Sequence, residues 1–163
     1  MLPQGLTPNL GHYLAGFTDG EGCFDLKVVN KEWIIARFTI GLREDDAAIL
    51  DEFHSATGVG TRFLRKGTGR QRLGRQEVWE VSRKADCRKL VEIFDAYPLR
   101  AKKLHDYEIW REAVLIWNAC RKGSRQHGRS PHTAEMFRLR DELLTFRRGW
   151  GEGRDAITSG AKD

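Results

Sequence analysis

Nine residues, Leu14-Ala15-Gly16-Phe17-Thr18-Asp19-Gly20-Glu21-Gly22, most constrain what this chain can fold into. They join the small-residue end of an apolar helix to two acids separated by glycine. Small residues on a helix let another backbone come close. Acids at the mouth of such a contact suit a divalent cation, which takes oxygen ligands. Stability alone gives no reason to place acids there. The stretch occurs once in 163 residues, and no internal repeat accompanies it.

The rest of the chain supplies the scaffold. Thr7 and Pro8 are a helix start, as N-cap and first helical residue, and the helix is expected from about Pro8 to Asp19, ended by Gly20 and Gly22. Residues 23–29 alternate, with Phe24, Leu26 and Val28 on one face. After a turn at Asn30-Lys31-Glu32, residues 33–42 alternate again, with Ile34, Ala36, Phe38, Ile40 and Leu42 on the core face. Two such runs predict an antiparallel hairpin with one buried face. Asp45 or Asp46 opens a helix with Ile49, Leu50, Phe53 and Ala56 on its apolar side, closed by Gly58. Thr61 to Arg65 is a short strand. A glycine- and arginine-rich loop leads to a fourth strand, Gln76 to Ser82, with Trp79 and Val81 inward. Asp86 is expected to cap a helix carrying Leu90, Ile93, Phe94 and Tyr97, which stops before Pro98. A long helix over about 100–121 and a last one over about 132–148 complete the order αββαββα plus C-terminal helices. This is an α+β chain with a helix-backed antiparallel sheet. One domain is expected over 1–148, its core over about 8–120, with a flexible tail at 149–163.

The formal charge of +5 favours a polyanionic partner without identifying one. The three cysteines, Cys23, Cys87 and Cys120, have no metal or redox spacing and read as small buried hydrophobes in a reducing compartment. No apolar run approaches the roughly 20 residues that span a bilayer. The first residues have neither a basic flank nor an apolar signal core. The expected location is intracellular, in cytoplasm, nucleoid or organelle, with no membrane partner and no secretion. Gly58-Val59-Gly60 follows a helix and lacks the third glycine of a dinucleotide fingerprint, so it reads as a helix stop. The histidines share no metal-binding spacing.

The stretch Leu-Ala-Gly-Phe-Thr-Asp-Gly-Glu-Gly resembles the defining motif of the LAGLIDADG homing endonucleases, and the element order over about residues 8–120 matches their fold. The resemblance implies an antiparallel sheet saddle backed by helices. With one motif per chain, it implies a homodimer whose interface is built from Leu14, Ala15, Gly16, Asp19 and Gly20. It implies Mg²⁺-dependent hydrolysis of double-stranded DNA, with Mn²⁺ able to substitute. The acid in the eighth motif position, Glu21, is then catalytic and a metal ligand, and Gly20 contributes its backbone carbonyl. Asp19 reads as structural, ordering the helix end. In Pro98-Leu99-Arg100-Ala101-Lys102-Lys103, Lys102 falls at the lysine that many family members hold near the scissile phosphates, with Lys103 one position away. The target would be long and nearly palindromic, cut to leave 3′ overhangs, and such proteins are typically intron-encoded. The alternative is a non-cleaving binder on the same scaffold, an intron RNA maturase or a DNA-binding regulator.

The DNA surface is expected on the non-core face of the sheet. Candidates are Asp25, Lys27, Lys31, Trp33, Arg37, Thr39, Arg43, Arg65, Gln76 and Glu80; Val29, Ile35 and Val78 lie on the same face, and Val29, Trp33 and Ile35 are its exposed apolar residues. Arg and Lys read guanine in the major groove and Gln reads adenine. Arg70, Arg72 and Arg75 suit phosphates, which position the protein without specifying sequence. Many family members carry a glutamine near the end of the second strand. Here Leu42 falls at that place, beside Arg43, the one departure from the pattern.

Overall fold

The computed structural model describes residues 1–65, 75–119 and 131–158, with side chains described through residue 147 apart from Pro131. The order is α1 (Pro8–Glu21), β1 (Gly22–Val29), β2 (Trp33–Arg43), α2 (Ala48–Thr57), β3 (Thr61–Arg65), β4 (Gln76–Val81), α3 (Lys84–Ala96), α4 (Lys103–Ala119) and α5 (Pro131–Thr158). The four strands form one antiparallel sheet in the order β1-β2-β4-β3.

The hairpin has the predicted faces. Phe24 pairs with Phe38 and Leu26 with Ala36 in register, and all four are buried, as are Ile34, Ile40 and Leu42. The period-2 pattern decides this, because a one-residue slip would carry the whole apolar set to the other face. Trp79 and Val81 close the same layer from β4. The core is strongly aromatic. Phe24 lies 5.0 Å from Phe38, 5.8 Å from Phe94 and 5.2 Å from Trp110, ring centre to ring centre. One ring thus joins the sheet to α3 and α4, and truncating it to alanine would cost about 3–5 kcal/mol.

Helix ends differ from the sequence reading in instructive ways. Thr7 caps α1 as predicted, its side chain accepting from the Leu10 N–H at 3.3 Å. The helix does not stop at Asp19. It runs through Gly20 to Glu21, and Gly22 is the cap, its N–H bonded to the Thr18 carbonyl. A Cβ at Gly22 would come within 2.5 Å of Thr18 Cγ2, so the direct passage from helix to strand requires glycine there. Asp45 and Asp46 lie in a short 3-10 turn, Glu44–Asp46, and cap nothing. Asp86 does not cap α3, whose N-cap is Arg83. It accepts instead from the Gly60 N–H at 3.2 Å, pinning the turn after α2. Gly58 ends α2 in the left-handed conformation, φ 64°, where glycine carries no Cβ penalty.

α4 begins at Lys103 rather than near Arg100. α5 extends to Thr158, so the tail expected from residue 149 is helical for ten further residues. Glycine in a helix costs only about 1 kcal/mol against alanine, so Gly149, Gly151 and Gly153 weaken the helix without obliging it to stop. Met136, Leu139 and Leu143 bury one stripe of α5 in the common core. Cys87 is buried, but Cys23 is exposed, against the expectation for it, and Cys120 lies outside the described residues. No helix is long and apolar enough to cross a membrane among the described residues.

Candidate functional site

The last turn of α1 gathers negative charge. Its carbonyls lack helical amide partners and carry the negative end of the helix dipole. Asp19 and Glu21 add two carboxylates, and no basic residue lies in that turn to neutralise them. Such an end favours a cation.

The two acids are used differently. Both oxygens of Asp19 are committed: Oδ2 accepts from the Arg100 N–H at 2.9 Å and Oδ1 from the Ala101 N–H at 3.2 Å. Asp19 is therefore a brace between the end of α1 and the turn that opens α4, which carries Lys102. Glu21 is exposed and makes no hydrogen bond or ion pair among the described residues. Its carboxylate is the one available for a metal, with the Gly20 carbonyl one residue before it in the same open turn. No cluster of three or more metal-ligating side chains exists among the described residues. This donor set fits Mg²⁺, which takes one or two carboxylates and fills its octahedron with water and phosphate oxygens. Lys102 is exposed immediately ahead of α4, and Lys103 is the first residue of that helix.

The predicted interface residues of α1 divide. Leu14 and Ala15 are 0% and 3% exposed and belong to the chain's own core, so neither is on the outer surface of the helix. Gly16 and Gly20 are exposed, and a Cβ on either would meet no atom of the described residues within 4 Å beyond the helix's own backbone. Neither glycine is needed by this chain's own packing. Gly11 is the contrast, since a Cβ there would come within 2.4 Å of Tyr97. Tyr13, 52% exposed, was missed by the sequence reading. Its spacing to Gly16 and Gly20, three and seven residues, marks one outer stripe and could have revealed it.

The open face of the sheet collects the predicted DNA-contacting side chains in cross-strand rows. Asp25 pairs with Arg37, Lys27 with Ile35 and Val29 with Trp33. Thr39 lies opposite Cys23 on one side and Glu80 on the other. Gln76 lies between Arg43 and Arg65, and Val78 between Gly41 and Phe63. Phe63, 43% exposed, is a further member of this face that the sequence reading left out. Val78 is only 2% exposed, so this face is not uniformly open.

Several basic groups are already held. Arg37 Nη2 donates to Asp25 at 2.7 Å, and its Nη1 lies 3.7 Å from Glu80. Arg65 donates to Gln76 at 2.9 Å. Arg43 is bidentate to Asp45 at 3.1 and 2.8 Å, and Arg75 lies 3.6 Å from Glu44. These last four residues line a shallow cleft. Lys31 sits in the β1–β2 turn with φ 60°. Arg70 and Arg72 lie outside the described residues. Leu42 faces the core at 8% exposure, whereas the neighbouring open-face position is Gly41. No side chain at either position supplies the polar group expected there.

Comparison with known proteins agrees with this geometry. A family model described as LAGLIDADG endonuclease matches residues 14–114. A probable intron-encoded endonuclease of Schizosaccharomyces pombe, Cox1-I1b, is 29% identical over 109 residues, which cover 64% of this chain and 27% of that protein. An uncharacterized mitochondrial protein of Saccharomyces cerevisiae, RF1, is 30% identical over 109 residues, covering 66% of this chain and 21% of that one. Among solved structures, the LAGLIDADG meganuclease I-AabMI bound to uncleaved DNA superposes with a TM-score of 0.58 at 27% identity, over 67% of this chain and 37% of that one. The I-LtrWI LAGLIDADG homing endonuclease bound to target DNA gives 0.67 over 83% of this chain and 45% of that one, at 19% identity, and shows the fold alone. The chain thus spans about a quarter of the curated relatives and less than half of these solved chains. With its motif at the end of α1, its four-stranded sheet and this match, the chain belongs to the LAGLIDADG endonuclease family.

Proposed function

We propose that this chain is a site-specific, metal-dependent endonuclease for double-stranded DNA that works as a homodimer. The observation that carries the reading is Glu21, exposed and without a hydrogen-bond or ion-pair partner among the described residues, at the negatively polarised end of α1. Glu21 and the Gly20 carbonyl would hold Mg²⁺ or Mn²⁺, which would supply an activated water and charge neutralisation at the phosphate. Lys102 offers a positive charge to the developing oxyanion. The open sheet face enters the major groove, where Arg37, Arg43, Arg65, Lys27 and Gln76 contact base edges and phosphates, and Arg75 contacts phosphate.

The dimer is supported by Gly16 and Gly20, whose open flanks suit the close approach of an identical helix. A two-fold axis there brings one Glu21 from each chain to the centre of the target. The target is accordingly long and nearly palindromic, and the cut leaves 3′ overhangs. An intron-encoded origin and an organelle location follow the relatives' descriptions.

A second reading, a non-cleaving nucleic-acid binder such as an intron RNA maturase or a regulator, is favoured by one observation: the absence of a polar side chain at Gly41 and Leu42. Glu21→Gln separates the two. The nuclease reading expects cutting to vanish with DNA affinity retained, and chelation of metal to do the same. Loss of folding or of DNA binding in Glu21→Gln would make the acid structural.

A further inference from the structure

Asp106 is 1% exposed in the first turn of α4, four residues after Lys102. Its counter-charge comes from α5, which lies beyond the segment matched to the family. Arg147 Nε and Nη2 lie 3.1 and 3.0 Å from Asp106 Oδ2, and Nη2 also donates to the Phe24 carbonyl. Phe24 follows Glu21 by three residues on β1, an edge strand of the sheet. One guanidinium therefore bridges the strand that leaves Glu21 and the helix that follows Lys102. The other Asp106 oxygen, Oδ1, is buried without a hydrogen-bond partner among the described residues, so the carboxylate depends on Arg147.

A buried ion pair is a poor device for stability, since apolar residues of similar volume often do as well or better. What it supplies is fixed geometry between elements. The planar fork of arginine holds two acceptors at set directions. Asp19 already ties α1 to the turn before α4 from one side. Arg147 ties β1 to α4 from the other.

We infer that Arg147 is a positioning residue, which makes α5 a clamp that holds Glu21 and Lys102 in register for cleavage. The inference rests on the catalytic reading of those two residues. A small displacement of reacting groups costs up to about a hundredfold in rate.

The test replaces the pair by apolar residues, Asp106→Leu with Arg147→Met, which leaves no buried charge unpaired. A second variant, Arg147→Lys, keeps the charge but loses the fork. Thermal unfolding, metal-free DNA affinity and the single-turnover cleavage rate are measured on a duplex that the wild-type protein cuts. The double variant is expected to fold with an unchanged or higher midpoint and to bind DNA within about twofold of wild type. It should cleave about tenfold to hundredfold more slowly, with Arg147→Lys between the two. Amide exchange at Arg100 and Ala101 should also quicken in the double variant. A well-folded double variant with wild-type cleavage and wild-type exchange overturns the inference and leaves the pair as an edge cover. A wild-type protein that cuts no duplex overturns the endonuclease reading instead, and the exchange rates then decide whether the clamp exists.

Discussion

The Asp19 carboxylate accepts the Arg100 N–H at 2.9 Å across 81 residues of chain. With the Ala101 N–H on its other oxygen, it ties the end of α1 to the turn that precedes α4. Replacing it by alanine leaves two N–H groups without their charged acceptor. Asp19→Ala should lower stability by about 1–2 kcal/mol, read from the midpoint of urea unfolding. An unchanged midpoint would mean that water serves those amides equally well.

Gly16 and Gly20 test the interface. Gly16→Leu should fold as well as wild type or slightly better, because it adds helix propensity where the chain has open space. Sedimentation should then show a monomer at concentrations where wild type is dimeric. Gly11→Leu is the control, expected to destabilise through collision with Tyr97. A wild-type protein that stays monomeric with and without DNA would remove the homodimer from the account.

Arg37 should read a guanine. It is held between Asp25 and Glu80 in the middle of the open face. In a selection from randomised duplexes, Arg37→Gln should weaken the preference at one base pair of each half-site by about 1–3 kcal/mol. A uniform loss of affinity at all positions would instead mark Arg37 as a phosphate contact.

Stability should fall in alkali. Burial, with the neighbouring Asp86 charge, pushes the Cys87 thiol up from 9.0 to about 12. Burial and Asp95 raise Tyr107 in the same direction. The folded state keeps these protons after the unfolded chain has released them. The thiol's stabilisation is therefore complete below pH 9 and is lost as pH rises from 9 toward 12, and the phenol's is lost only from pH 10 upward, each at up to about 1.4 kcal/mol per pH unit. Cys87→Ala should flatten the part due to the thiol in urea unfolding measured across that range.

Much of the scaffold was legible because it rests on periodicity. The alternation of Phe24 to Val28 and of Ile34 to Leu42 assigned the buried face, and Gly58 marked the end of α2 correctly. The motif pointed to Glu21 directly. Local signals failed where one residue type serves several ends. Gly20 looked like a helix stop but lies inside α1, and Asp86 looked like a cap but holds Gly60. Ala15 read as interface because small residues suit close packing, and Leu14 with it as part of the motif, yet both side chains are buried within the chain itself. Their outward neighbours, Tyr13, Gly16 and Gly20, share one stripe. The link from Arg147 to Asp106 and Phe24 was out of reach, because ion pairs between distant segments leave no periodic trace in the sequence.

The most direct measurement is to incubate the purified protein with a randomised duplex DNA library and Mg²⁺ and to sequence the cut ends. The account predicts staggered cuts with 3′ overhangs, centred on a two-fold-related consensus and absent with Glu21→Gln or without metal. An absence of cutting, while a defined sequence is still enriched by binding, would contradict it and leave a binding protein on an endonuclease scaffold.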